Sequence, residues 1–329
     1  FLWESHFMAS LFCENVVCYC SIMGQTLQLE DLCMSEKVMR RLAKPMLFTA
    51  AFIWGSSFFV MKDALDALPV QYLLAIRFTM GTVLLGLVCW KKWKTFTPDY
   101  LWRGAIIGGF LYAAYTIQTY GLALTTPSKN AFLTAVYCVL VPFLYWLLAG
   151  VRPDRYNVMA AVLCVAGVGL VSLEGDLHIN LGDLLTLCCA IFYASHIVAV
   201  AKVSPKRDIY LLTVFQFAFA ALYAWIGGLL FEQFPAAALS RAEVVLPLIY
   251  LGVMATAVAL LFQNVGQVWS DPASASVILS LESVFGVGCS VVFAGDRVSV
   301  QMAFGFLLIF VAVVCSETKF SFLKKGKVS

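Results

Sequence analysis

A carboxyl, an imidazole, a guanidinium and two amides stand inside stretches that are otherwise hydrocarbon. They are Glu282 in "LSLESVFGVG", His196 in "IFYASHIVAV", Arg77 in "YLLAIRFTM", Gln118 in "YTIQTYG" and Gln263 in "LLFQNVG". Such groups are costly in an apolar medium unless they face a partner, a cavity or water, so each is a functional candidate by default. Glu282 can pair with an amine or take up a proton; its competing reading is a structural carboxyl bonded to neighbouring helices. Gln118 and Gln263 each offer donors and acceptors suited to a polar ligand. Equally, they can bridge helices, typically for about 0.6 kcal/mol per contact. His196 with Tyr193 and Ser195 makes an aromatic and imidazole surface for an organic molecule, against the plainer reading of a satisfied interior histidine. Trp54, Ser56 and Ser57, deep in "FIWGSSFFV", are expected to line the same cavity from the other half of the chain.

Arg77 lies seven residues from the outer end of its apolar segment, a depth of about 10 Å at helical rise. Its side chain is long enough to snorkel to the headgroups. That role, or a contact pinning two helices, is favoured over a clamp for a substrate carboxylate. Small residues set the mechanics: Gly104 and Gly108 in "GAIIG", Gly286 and Gly288 beside Ser290, and Pro142. Glycine lets helix backbones approach closely. Pro142 and the Gly286/Gly288 pair occupy roughly corresponding places in two halves, where interrupted helices would mark a transport site. No nucleophile–base pair, Cys/His metal spacing or Walker A motif accompanies these residues, so neither an enzyme nor an ATP-driven pump is expected. No cofactor or metal is expected either. The 11 cysteines suggest no disulfide framework.

The elements that carry these groups follow from composition. Of 329 residues 62% are hydrophobic and 12% charged, with a mean hydropathy of +0.88; soluble domains carry about 25% charge. Breaking the chain at polar and turn-rich points gives ten candidate spans, near 45–61, 71–90, 103–123, 129–149, 156–173, 182–201, 210–231, 244–267, 272–294 and 299–316. Each suits the roughly 17–25 residues that a membrane helix needs. With the N-terminus inside, 17 of the 22 Lys and Arg fall on the inner side and 4 on the outer, Arg77 lying within a span. This is the asymmetry of the positive-inside rule, and it predicts both termini in the cytoplasm. The net charge of +3 gives no support for nucleic-acid binding.

The chain also repeats itself. Gln118, Gly121 and Pro127 return at a shift of 145 as Gln263, Gly266 and Pro272, and Ala149, Gly150 and Arg152 return as Ala294, Gly295 and Arg297. Nearer the start of each half the shift is 138, with "YLLAIRF" at 72 set on "YLLTVFQF" at 210. The same shift of 145 sets Glu282 on Tyr137, so the carboxyl is not duplicated. Five spans per half is an odd number, so the second half would enter the membrane inverted, an arrangement that places a site near the midplane between the halves.

With these features on the page, "FIWGSSFFVMKDALDALPVQYLLAIRF" and "LESVFGVGCSVVFAGDRVSVQMAFGFLLIFVAVV" resemble the opening and closing signatures of the EamA family of the drug/metabolite transporter superfamily. Ser283 departs from the usual proline and Asp296 from the usual glutamate, and "GVRPDR" lacks the acidic turn residue. The resemblance implies an all-α integral membrane protein of ten transmembrane helices in two inverted five-helix repeats, 39–176 and 177–318. It implies a secondary transporter, an exporter of amino acids or other small metabolites, with a cavity between the repeats. Glu282, Gln118, Gln263, Tyr193, His196, Trp54, Ser57 and Tyr137 would line that cavity. The expected partners are a small-molecule substrate and the lipid bilayer, with proton coupling and a homodimer also considered. The expected place is the plasma (inner) membrane. Residues 1–38 read as a disordered or artefactual extension, with a natural start at Met34 or Met39, or as an amphipathic segment on the membrane; 319–329 read as a basic cytoplasmic tail. The alternative function is a receptor or sensor bundle without transport, although no soluble output domain or long loop is apparent. The orientation is directly testable: a phosphatase fused after Phe234 is expected to be active and one fused at the C-terminus inactive, with the reverse pattern for green fluorescent protein. The opposite activities would overturn the assignment.

Overall fold

The structure, a computed structural model, describes residues 29–150, 152–172, 180–203, 207–269 and 272–318. The predicted basic tail and the first 28 residues of the predicted extension lie outside these. Among the described residues every regular element is helical. They are α1 (Leu29–Leu65), α2 (Val70–Val88), α3 (Asp99–Leu124), α4 (Pro127–Thr134), α5 (Tyr137–Ala149), α6 (Arg155–Ser172) and α7 (Leu181–Val203). After these come α8 (Ile209–Phe231), the single turn α9 (Ala236–Leu239), α10 (Ala242–Ile249), α11 (Ala259–Val268), α12 (Pro272–Cys289) and α13 (Val300–Thr318). Tyr250–Val258 joins α10 to α11 as a wider π-helical stretch, and Ser290–Ala294 extends α12 in the same way. α1 starts inside the stretch read as an extension.

The repeated residues punctuate the chain. Pro127 and Pro272 open α4 and α12, since proline at a first helical position gives up a donor that would be unpaired anyway. Gly150 and Gly295 both adopt the left-handed conformation, φ 73° and 70°, where each half's fourth rod ends; a side chain would strain that backbone. Thr126 caps α4 through Lys129 N–H, and Asp208 caps α8 through the N–H groups of Tyr210 and Leu211.

Six described stretches are long and apolar enough to cross a membrane: Val38–Leu65, Val70–Val88, Pro127–Leu148, Leu181–Val200, Ile209–Phe231 and Ala242–Gln263. Arg155–Val171, Leu281–Ala294 and Val300–Ser316 are shorter apolar helices. The 26-residue α3 is not in either group. Its Tyr112, Tyr115, Thr116, Gln118 and Thr119 lower its hydropathy, and it lies against α7 and α8.

Packing follows the repeat. α3 packs on α7 and α8, while α11 packs on α1 and the π-helical stretch on α2; α2 meets α8, and α6 meets α13. Exchanging the halves maps this list onto itself. Gly121 and its counterpart Gly266 do the same work. A Cβ on Gly121 would sit 3.0 Å from the Gly182 carbonyl oxygen of α7, and one on Gly266 3.0 Å from the Ala43 carbonyl oxygen of α1. Gly104 and Gly108 let α3 rest on α8, a Cβ on Gly108 falling 2.6 Å from the Gln216 carbonyl oxygen. Gly286 makes room for Ala131 of α4, whereas Gly288 has nothing within 4 Å, so close packing does not explain it.

The helix irregularities do not match between halves as the sequence suggests. The first-half rod breaks at Ala135–Val136, ahead of Pro142, which sits within α5; the second-half rod widens only at Ser290–Ala294. A proline ring clashes with the carbonyl four residues back, so its strain falls N-terminal to it.

Gly108→Val is expected to destabilise the protein by about 1–3 kcal/mol through overpacking. Gly288→Ala is expected to stay within about 0.5 kcal/mol of the wild type. Thermal unfolding in lipid nanodiscs measures both, and equal midpoints for the two variants would refute the α3–α8 contact.

Candidate functional site

Gln118 is buried on α3 and joins three helices. Its Oε1 accepts the Tyr193 hydroxyl of α7 at 2.8 Å, and its Nε2 donates to Thr134 Oγ1 of α4 at 3.0 Å. The Tyr193 ring lies edge-on to Tyr115 at 5.4 Å and tilted against Tyr137 at 5.9 Å. Tyr137 and Glu282, counterparts in the repeat, line one interior cavity with Thr134, Cys138, Leu279 and Ser283. The cavity holds about 10 Å³, the space of roughly one water. Among the described residues Glu282 forms no hydrogen bond or ion pair. A carboxyl on a helix of the second half therefore borders a space lined by both halves, without a partner among the described residues.

A second cluster surrounds the π-helical stretch. Trp54 Nε1 donates to the Ala255 carbonyl oxygen at 2.8 Å, and Ser56 Oγ lies 2.5 Å from the Tyr250 hydroxyl. Thr256 Oγ1 donates to the Leu251 carbonyl five residues back at 2.8 Å and accepts Arg77 Nε at 2.7 Å. Arg77 is 1% exposed, with its guanidinium 4.8 Å from the Tyr115 ring centroid. Of the two roles expected for Arg77, snorkelling is overturned and the contact pinning two helices is found. The side chain turns inward because Thr256 and the Tyr115 face offer it partners there, and it fastens α2 to the second half.

Other predicted site residues are separate from the cavity. Ser57 Oγ donates to the Trp54 carbonyl within its own helix at 2.7 Å, which leaves no free hydroxyl proton for a ligand. His196 Nε2 lies 3.1 Å from Gln216 Oε1 of α8 and joins those two helices. Gln263 is half-buried and, unlike Gln118, has no hydrogen bond among the described residues. The amide pair is symmetric in sequence but not in bonding, because α4 supplies Thr134 to one member only. Among the described residues no three His, Cys, Asp or Glu side chains gather as a metal-binding group.

Sequence reasoning missed Asn130, Asp183 and Thr256. Asn130 Nδ2 donates to Thr186 Oγ1 at 2.8 Å, and Asp183, fully buried, accepts the Thr125 hydroxyl at 2.5 Å with Lys129 Nζ at 3.7 Å. These lie at the ends of apolar segments, where polar residues look like ordinary boundaries. Thr256 carried no signal, since a threonine inside an apolar run satisfies itself on the backbone.

The family model described as the EamA-like transporter family matches residues 42–173 and again 180–318. An uncharacterized transporter of Archaeoglobus fulgidus is 33% identical over 284 residues, covering 85% of this chain and 87% of the relative. The uncharacterized transporter YvbV of Bacillus subtilis is 25% identical over 274 residues, covering 81% and 88%. A solved structure described only as the crystal structure of a protein aligns with a TM-score of 0.61 at 20% identity, over 84% of this chain and 98% of that one. It establishes a shared fold.

Removing the central amide takes the acceptor from the Tyr193 hydroxyl and leaves buried Thr134 Oγ1 only the Cys189 sulfur, a weak partner. Gln118→Leu is expected to cost about 1–3 kcal/mol, and Tyr193→Phe about 0.5–1.5 kcal/mol. The double variant should fall short of the sum, since both share one bond. Thermal midpoints that add, or a Gln118→Leu protein as stable as the wild type, would dismiss this network.

Proposed function

The chain belongs to the EamA-like transporter family, and from that membership we propose a secondary transporter that moves a small organic metabolite by alternating access between its two halves. The ten crossings are the six long apolar stretches together with α3, α6, α12 with its π-helical end, and α13. The 18 residues of α6 and 19 of α13 fall within the roughly 17–25 that a bilayer core requires. The positive-inside count supports both termini in the cytoplasm and five-helix halves of opposite orientation. Export, from the side rich in Lys and Arg to the other, is the direction assigned here.

One observation carries this reading: Glu282, an intramembrane carboxyl without a hydrogen-bond or ion-pair partner among the described residues, faces a cavity that both halves wall. A structural carboxyl would be expected to take a bond from the hydroxyls or amides nearby. A carboxyl left free can exchange a proton, or accept a donor from the substrate, at each turnover. Tyr137 on the facing helix brings a hydroxyl to the same space. The cavity of about 10 Å³ is too small for a metabolite, which suits an occluded stage of the cycle, with loading space created as the halves rock apart.

Extracellular metabolites from cells carrying the wild type, Glu282→Gln or no transporter test the proposal. A compound is expected to accumulate outside only with the wild type, because the amide holds the position permanently neutral and cannot release a proton. Equal export by the variant would remove Glu282 from the cycle. A folded wild type that changes no compound on either side would sink the transporter reading and favour a sensor.

A further inference from the structure

Arg77 is a buried cation whose charge the described residues leave unanswered. A guanidinium presents five N–H donors in a planar fork. Here Nε meets Thr256 Oγ1, and a terminal nitrogen lies 3.6 Å from the Met61 sulfur, a weak acceptor. The Tyr115 ring covers one face. No described carboxylate forms an ion pair with it. Burying a charge without a counterion is among the least favourable arrangements a protein adopts. If Arg77 served only to pin α2 to the π-helical stretch, a neutral donor would supply the one bond to Thr256 without that cost.

Its placement adds to the argument. Arg77 comes from the first half, while Thr256 and Glu282 come from the second. Aromatic rings connect Arg77 and Glu282: Tyr115 under the guanidinium meets Tyr193, Tyr193 meets Tyr137, and Tyr137 lines the cavity with Glu282. Neither charge is duplicated: at the shift of 138 the counterpart of Arg77 is Phe215, as that of Glu282 is Tyr137 at 145. Ionisable groups of opposite sign, neither in an ion pair among the described residues, thus come from opposite halves.

We propose that Arg77 is the anion subsite of the transport path, its terminal N–H groups, which meet only the weak Met61 acceptor here, receiving the carboxylate of a small organic acid. Tyr115 and Thr256 hold the guanidinium plane, leaving the fork edge for a bidentate carboxylate. Thr256 belongs to the other half, so an acid bound there touches both moving parts. This rests on the transporter reading and narrows its substrate class to carboxylate-bearing molecules.

The test uses the full chain in lipid nanodiscs and thermal unfolding midpoints. The probes are sodium benzoate, sodium succinate and N-acetyl-leucine, each beside its neutral amide. None carries an amine, so Glu282 does not contribute an ion pair. At least one acid is expected to raise the wild-type midpoint while its amide does not. Arg77→Gln should lose that preference, and Arg77→Lys should keep it at higher concentrations, since lysine retains charge without the fork. Thr256→Val should lower the midpoint yet keep the preference for acid over amide. Were pinning the role of Arg77, Thr256→Val would mimic Arg77→Gln in every readout. If Arg77→Gln does not fold, Arg77→Lys against the wild type decides. Wild type without any acid preference, or Arg77→Gln that keeps one, overturns the subsite. Protein that exports a metabolite yet ignores all three acids overturns the subsite alone. Protein that binds acids selectively but moves nothing overturns transport alone.

Discussion

How closely two helix backbones can approach governs the interior of this protein. Lipid tails are as apolar as leucine, so association between membrane helices comes from tight packing and interhelical bonds. Glycines supply the contact at crossing after crossing. A Cβ on Gly55 of α1 would fall 2.8 Å from the Glu282 carbonyl oxygen of α12, and Gly167 of α6 and Gly305 of α13 each meet the other's carbonyl at 2.8 and 2.9 Å. The first of these bears on the proposed role of Glu282. It presses α1 against the backbone of Glu282 itself, and so fixes where the carboxyl looks. Widening that crossing would move Glu282 with it.

Helix ends are completed by other helices. α2 starts after Pro69, which has no side chain able to accept a bond, and Glu232 at the end of α8 accepts the N–H groups of Gln71 and Tyr72 instead, at 2.9 and 3.3 Å. Lys62 Nζ donates to the Leu122, Ala123 and Thr125 carbonyls at the end of α3, at 2.8–3.0 Å. Asp296 accepts both the N–H and the hydroxyl of Ser128 at the start of α4. Donors and acceptors at helix termini need partners, and here the partners are distant in sequence. In the orientation read from lysine and arginine, all of these ties lie on the outer side. Under the proposed alternating access, they are the bonds that opening that side would break.

The sequence made the helices and their repeat legible because both leave periodic marks. Pro127 and Pro272 mark element starts, Gly150 and Gly295 mark ends, and Gly121 and Gly266 mark equivalent crossings, so shared residue types report shared backbone work. The site was less legible. Depth along a helix says nothing about which face a residue occupies, so the position of Arg77 alone does not separate snorkelling from the pinning contact it makes. Ser57 looked like a cavity hydroxyl, yet a serine inside a helix can bond its own backbone. Gln118 and Gln263 looked equivalent, but their environments depend on α4 and α12, whose partner residues differ. Side-chain partners come from sequence-distant helices, and a single sequence carries no mark of them.

The pseudo-symmetry also explains why the charges must be single. An axis relating two halves brings positions that lie close to it near their equivalents, as Tyr137 and Glu282 on one small cavity demonstrate. A second carboxyl at position 137 would place two acids in a space of about 10 Å³, where like charges disfavour joint ionisation. A second arginine at 215 would stand where the Phe215 backbone now packs on Gly104, a Cβ there lying 3.3 Å from its carbonyl oxygen. The scaffold tolerates duplication because packing is short-ranged and self-complementary. Charge is long-ranged in a medium of low dielectric, so its duplicates would repel across the same axis. A symmetric frame with an unsymmetric pair of ionisable groups is therefore the arrangement electrostatics favours, and in the proposed cycle it would give the two halves different chemical tasks.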